Sequence, residues 1–338
     1  MQLSELASQL CSSFRPQQFS NVLWGLAKCG FKAPAAWLGP YLEQAELQLH
    51  HFQPRNLAQL AWALAAMKAQ PPRSFLANFL AECSDKLSLF KPIDLAHTLW
   101  ALATLAVTPP ADWLSSALAA CSAQWQQFKP QELSITVWGL ARLGGGFRTQ
   151  LYPAHPHYGL TAELGEGGLA GLMAAAAWQV PAMSPQQASN LVWGLAVGGA
   201  VLPPQQLQAL AGQVLLVLRN SAAGSSSSSS NSSSVTSKRR QQRRAQAAAN
   251  LHCYNPGQMV TLMQTLGVML RDRGHDAVQC HSLLKLLAVA AQWRLHQGRA
   301  GDCEVCGRYV RALKFMAAEA NVSQLLVLSW RAEAGAGG

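Results

Sequence analysis

The chain has 338 residues, half of them apolar and 12% charged, with a formal net charge of +10. That balance suits a protein with a continuous buried core. No apolar run reaches the roughly 18 residues needed to cross a membrane, and no Gly-rich phosphate loop, paired carboxylate or nucleophile motif stands in it, so no enzymatic activity is expected.

One phrase recurs along the chain. PQQFSNVLWGLAKCG at Pro16 returns as PRNLAQLAWALAAMK at Pro54, PIDLAHTLWALATLA at Pro92, PQELSITVWGLARLG at Pro130 and PQQASNLVWGLAVGG at Pro185. Trp24, Trp62, Trp100 and Trp138 are 38 residues apart, and Trp193 follows after 55. Phe14, Phe52, Phe90 and Phe128 stand two residues before their prolines. Three residue types in one register mark a repeat array.

Each unit reads as two helices. The first opens after proline or a proline pair, as in APAAWLGPYL at Ala33, PPRSFLANFL at Pro71 and PPADWLSSAL at Pro109; Trp37, Phe75 and Trp113 keep the register. The second opens on the repeat proline, whose missing N–H is no loss at the first helical position. Within it Leu95, Leu99 and Leu102 share a face at helical spacing. Both helices are apolar on more than one side, as expected of helices held between neighbouring units. Trp62, Trp100 and Trp138 are therefore expected to be mostly buried between repeats. The expected fold is all-α, an α-solenoid of 38-residue helical hairpins with boundaries near residues 32, 70, 108, 146 and 201.

Residues 1–219 hold repeats one to five and the start of the sixth, with an insertion near 144–159. GGLAGLMAAAAW at 167–178 reads as the first helix of repeat five. Residues 220–246 are Ser-rich and then basic, and are expected to be disordered. Residues 247–338 hold a degenerate sixth repeat, with Gln264 where tryptophan belongs, and a C-terminal helical cap. Residue 1 falls inside the first helix of repeat one, so the chain reads as truncated, and no transit peptide is seen. Cysteine placement fits a reducing compartment. A lone CEVC (Cys303, Cys306) has no second pair at zinc-finger spacing, so no metal and no other cofactor is expected.

FKPQELSITVWGLARLG at Phe128 together with PPADWL at Pro109 resembles the octotricopeptide repeat, a helical-hairpin family, over about residues 1–267. The resemblance implies binding of single-stranded RNA and a role in maturation, stability or translation of organellar transcripts, in chloroplasts more than mitochondria. Repeats four to six depart from the pattern through two insertions and the lost tryptophan.

Between copies, certain polar positions change. Six residues before the tryptophan stand Gln18, Asn56, Asp94, Glu132 and Gln187; three before it stand Asn21, Gln59, His97, Ile135 and Asn190; two before it stands Thr98 in the third repeat. The residue after the tryptophan is always Gly or Ala. These positions are read as one helix face whose polar side chains meet base edges while the small residue admits a base. Base-reading candidates are Gln18, Asn21, Asn56, Gln59, Asp94, His97, Thr98, Gln187 and Asn190. Two other readings stay open: the first-turn residues cap or solvate the helix, and the amides form a ladder holding repeats in register.

Phosphate candidates are Arg15, Lys91 and Lys129 before the repeat prolines, Lys28 and Arg142 four residues after the tryptophan, and the run Lys238, Arg239, Arg240, Arg243 and Arg244. Residues 1–237 hold 12 basic and 10 acidic residues, so phosphate binding there requires the cations to be sorted to one side. If they are scattered, a protein-binding scaffold is the better reading.

Overall fold

The computed structural model describes residue 7, residues 9–143, residues 160–198 and residue 210. The insertion near 144–159, the Ser-rich and basic segment 220–246, the region 247–338 and the boundaries near 146 and 201 lie outside the described residues. The chain divides into two compact units, one of residues 1–172 with 197–199, the other of residues 173–196 with 200–338. Each is taken by itself.

The first unit is built from helices in strict alternation. The second helices of the repeats are α1 (Pro16–Lys28), α3 (Pro54–Ala66), α5 (Pro92–Thr104) and α7 (Pro130–Leu143). The first helices are α2 (Ala35–Glu46), α4 (Arg73–Lys86) and α6 (Ala111–Ser122). A further first helix, α8 (Leu160–Gln179), is broken at Gly165, where φ is 61° and ψ 179°. The second unit holds α9 (Pro185–Val197), another second helix. Every second helix starts on its repeat proline, as the register predicts. No strand occurs among the described residues.

Short 3-10 turns at Cys11–Ser13, Leu49–His51, Leu87–Leu89 and Trp125–Gln127 keep the repeat register. Each is followed by the repeat phenylalanine in an extended conformation, which turns the chain into the next helix. Phe52, Phe90 and Phe128 are buried, and the Phe52 ring lies 6.2 Å from that of Phe19. They fill the corner between turn and helix.

Second helices pack side by side, α1 on α3, α3 on α5 and α5 on α7, and first helices pack α2 on α4 and α4 on α6. The core between these layers is Leu and Ala with aromatic anchors. Tyr41 donates its hydroxyl to the Phe19 carbonyl at 2.9 Å, and Trp113 donates its indole N–H to the Leu80 carbonyl at 3.1 Å. A long donor side chain also reaches back in three successive repeats: Gln48 to the Phe14 carbonyl, Lys86 to that of His50, and Gln124 to that of Phe90, each at 2.9 Å. Each bond satisfies a turn carbonyl of the preceding unit.

The small residue after the tryptophan sits where second helices cross. A Cβ on Gly139 would meet the backbone carbon and oxygen of Leu99 at 3.0 Å. Ala63 and Ala101, its counterparts, are fully buried. At Gly139 an approaching backbone requires the small residue, whereas Gly25, its counterpart in the first repeat, has open space around it.

The second helices also end alike. Gly30, Lys68 and Ala106, again 38 residues apart, have φ of 74°, 55° and 55°. The next residue's N–H bonds back to the helix, from Phe31 to the Leu26 carbonyl, Ala69 to Leu64 and Val107 to Leu102. This is the Schellman closure, which favours glycine in the left-handed position. A left-handed non-glycine residue costs roughly 1–2 kcal/mol. Ala106→Gly is therefore expected to raise the denaturant midpoint, by up to about 1 kcal/mol after the added freedom of the unfolded chain is discounted. A fall in the midpoint would show that the left-handed turn is not strained.

Candidate functional site

Helix geometry sorts the variable positions. Successive residues turn by about 100°, so residues on either side of a tryptophan point to opposite flanks. The contact of Gly139 with Leu99 shows this directly: the residue after one tryptophan meets the residue before the previous one. Leu23, Ala61 and Leu99 on one flank, and Ala63, Ala101 and Gly139 on the other, are buried against neighbouring second helices, and Val137 is buried as well. The tryptophan between them faces outward from the layer. Trp62, Trp100 and Trp138 are mostly buried, as expected, but each keeps part of its ring in solvent, and Trp24 is 40% exposed. The core-filling aromatic of the unit is the phenylalanine.

The position six before the tryptophan is turned about 120° from it, and its side chain closes the helix N-terminus. The backbone N–H of Arg15 donates to Gln18 Oε1 at 2.8 Å, that of Gln53 to Asn56 Oδ1 at 3.2 Å, that of Lys91 to Asp94 Oδ2 at 3.1 Å and that of Lys129 to Glu132 Oε2 at 2.9 Å. In the second unit Ser184 N–H donates to Gln187 Oε1 at 2.9 Å, and the Gln187 N–H returns a bond to Ser184 Oγ at 3.3 Å, a full capping box. Asn56, Asp94 and Glu132 are less than a tenth exposed. Burial pushes the Asp94 carboxyl above its ordinary range, opposed by the Lys91 N–H and by the charges of Lys91 and Arg55. The capping reading fits all five residues. Thr98, two before Trp100, is turned about 200° from it and is 1% exposed, so it faces the protein interior.

The position three before the tryptophan does share its face. Asn21 is exposed, and Gln59, His97 and Ile135 are half-buried. Gln59 donates its amide to Asn21 Oδ1 at 3.2 Å, a link of the ladder kind between neighbouring units. The His97 ring lies 6.3 Å from the Trp62 ring. Burial, and then the Lys28 ammonium, hold the His97 pKa below the usual histidine range, so the ring is neutral near pH 7. A neutral imidazole carries one donor and one acceptor. In the second unit Asn190 Oδ1 accepts from Gln186 at 2.8 Å.

Seven residues before the tryptophan lies a row that the sequence comparison passed over: Gln17, Arg55, Ile93 and Gln131, all exposed. Two helical turns, about 700°, bring it back to the tryptophan face. The signal was available in that spacing.

The tryptophans themselves form a row. Ring centroids of Trp24 and Trp62 are 6.4 Å apart, and those of Trp62 and Trp100 are 6.3 Å apart. The Lys28 ammonium lies over two of these rings, 4.7 Å from Trp62 and 5.4 Å from Trp24. The Arg142 guanidinium lies 5.3 Å from the Trp138 ring, and its Nε donates to the Ala103 carbonyl at 2.9 Å. Lys28 is thus exposed on the face, whereas Arg142 also ties two repeats together.

Charge is sorted between the layers. The second helices of the first unit with their N-caps carry Arg15, Lys28, Arg55, Lys91, Lys129 and Arg142. Their only acids, Asp94 and Glu132, are buried and bonded to backbone N–H groups. The first helices carry Glu43, Glu46, Glu82, Asp85 and Asp112 against Arg73 and Lys86, and Lys86 pairs with Glu82 at 2.8 Å. Arg15, Lys91 and Lys129 are exposed at helix N-termini, where the dipole opposes a cation. Lys238, Arg239, Arg240, Arg243 and Arg244 lie outside the described residues. No group of three or more potential metal ligands occurs among the described residues, and no helix there is long and apolar enough to cross a membrane.

A family model described as the Tbc2 translation factor, N-terminal domain, matches residues 1–114 and again residues 68–150. Overlapping matches to one model are what an internally repeated sequence produces. No curated protein matches the chain.

Proposed function

We propose that the outward face of the second-helix layer binds single-stranded RNA, and that the protein acts in maturation, stability or translation of organellar transcripts, in the chloroplast rather than the mitochondrion. The observation that carries this reading is the sorting of charge: the exposed cations Arg15, Lys28, Arg55, Lys91 and Lys129 on the second helices and their N-caps, acids on that layer turned inward, and acids concentrated on the other layer. Phosphate contacts need such a one-sided field. The similarity of residues 1–150 to a translation-factor domain supports the same direction. So does the resemblance to octotricopeptide repeats, whose units would continue as an α-solenoid.

In this reading Arg15, Lys28, Lys91 and Lys129 hold the phosphates. The bases meet the position three before the tryptophan, Asn21, Gln59 and His97, and the row seven before it. Gln18, Asn56, Asp94 and Gln187 serve as caps and Thr98 as core. The function involves no catalytic step and no cofactor.

Crosslinking in cells, with sequencing of the bound RNA, tests the role; selection from a random RNA pool tests the readers. Exchanging Gln59→His and His97→Gln is expected to change the preferred base at one or two RNA positions with little change in stability. An unchanged preferred sequence would move base reading off this row. The exposed Leu47, at the end of α2, and Leu89, in the 3-10 turn after α4, favour a second reading as a protein-binding scaffold. Recovery of a protein partner and no enriched RNA would select it.

A further inference from the structure

We infer that the tryptophan row is a stacking rail for nucleobases. The inference rests on the RNA reading and adds how the strand is held. Trp24, Trp62 and Trp100 stand outside the fully buried core, which phenylalanines, leucines and alanines fill. Each nevertheless stands on the one face of its helix that no neighbouring helix covers. The rings repeat at 6.4 Å and 6.3 Å, with planes inclined by 43° and 27°. Large aromatic rings in a regular, partly exposed row offer one platform per repeat. Every base has a π-face, so such platforms hold a strand without choosing its sequence.

Charge complementarity selects the occupant. The Lys28 ammonium rests over the Trp62 and Trp24 rings. A cation parked on an aromatic face is held by the ring quadrupole at an exposed site only weakly. A phosphate is a stronger partner for it. When a nucleotide arrives, its base takes the ring face and its phosphate takes the ammonium, so neither group is left alone. A nucleic-acid strand supplies an anion beside every base, which suits a face that carries Lys28, Lys91 and Lys129 along the same row of repeats. Stacking of bases also places their edges beside Asn21, Gln59 and the neutral His97 ring, which has a donor and an acceptor to offer. The rail gives affinity common to all sequences, and the row three before it gives choice.

The test compares binding of the full chain to two oligoribonucleotides of equal length, one with normal bases and one with abasic sites throughout its middle. The wild-type protein is expected to bind the abasic strand at least tenfold more weakly. Trp62→Ala is expected to weaken binding of the normal strand by roughly tenfold, equally for uridine-rich and adenosine-rich strands and with the same salt slope. Trp62→Phe should retain most of the affinity. Equal affinity of wild-type protein for normal and abasic strands overturns the rail, and needs no variant to fold. If Lys91→Gln still weakens that equal binding, the RNA reading survives and only the rail falls. If neither strand binds at all, both fall.

Discussion

Replacing Phe52 by alanine is expected to destabilise the array by about 3–5 kcal/mol, more than replacing Trp62. Phe52 is wholly buried, packed near Phe19 at the point where a 3-10 turn enters α3. Its removal leaves a cavity walled by helices of two units, and neither unit can close it without shifting the other. Trp62→Ala instead removes a partly exposed ring from the outer face. It loses the contacts with Trp24 and Trp100, about 1–3 kcal/mol if each aromatic pair contributes about 0.5–1.5. Denaturant unfolding followed by circular dichroism gives the order directly. If Trp62→Ala proves the costlier change, the tryptophan and not the phenylalanine is the core aromatic.

The largest change in affinity is expected when the phosphate row is neutralised. In the variant carrying Arg15→Gln, Lys28→Gln, Lys91→Gln and Lys129→Gln, four potential phosphate contacts are lost from exposed side chains. Each contact with a single strand contributes about 0.7 to the slope of log affinity against log salt. Losing four should flatten that slope by about 3 and weaken binding near 0.1 M salt by about 10²–10³-fold. The loss should be alike for all RNA sequences, because phosphates carry no sequence information. Stability should change little or rise slightly, since Arg15, Lys91 and Lys129 oppose their helix dipoles. A variant that binds RNA as wild type does would show that the strand lies on another surface.

The path of the chain was legible in the sequence because the register is carried by residues with strong local meaning. Proline at the first helical position fixed the start of α1, α3, α5, α7 and α9. The direction of the tryptophan was not legible. A helix with Ala, Leu and Trp on adjacent positions is apolar nearly all round, and periodicity alone does not say which arc meets which neighbour. Only the approach of Gly139 to Leu99 settles it. The caps were half visible: SPQQ at Ser184 is an ordinary capping-box pattern. In the other repeats the cap residue is Arg, Gln or Lys, so the same bond is made without the usual signature. The left-handed Lys68 and Ala106 could be foreseen only by reading Gly30 across the register, since neither residue favours that conformation by itself.

The bonds from Gln48, Lys86 and Gln124 to carbonyls of the preceding unit bear on how such an array can change length. Each unit brings the donor that its predecessor requires and leaves an acceptor for its successor. A duplicated block of one whole period therefore arrives already compatible with both neighbours, and its loss rejoins two compatible ends. Growth by whole units leaves the polar accounting of every junction unchanged, whereas a gain or loss of part of a unit strands a donor or an acceptor inside it. Selection for a longer or shorter array can thus act by copying or deleting units, with the fold itself needing no further adjustment.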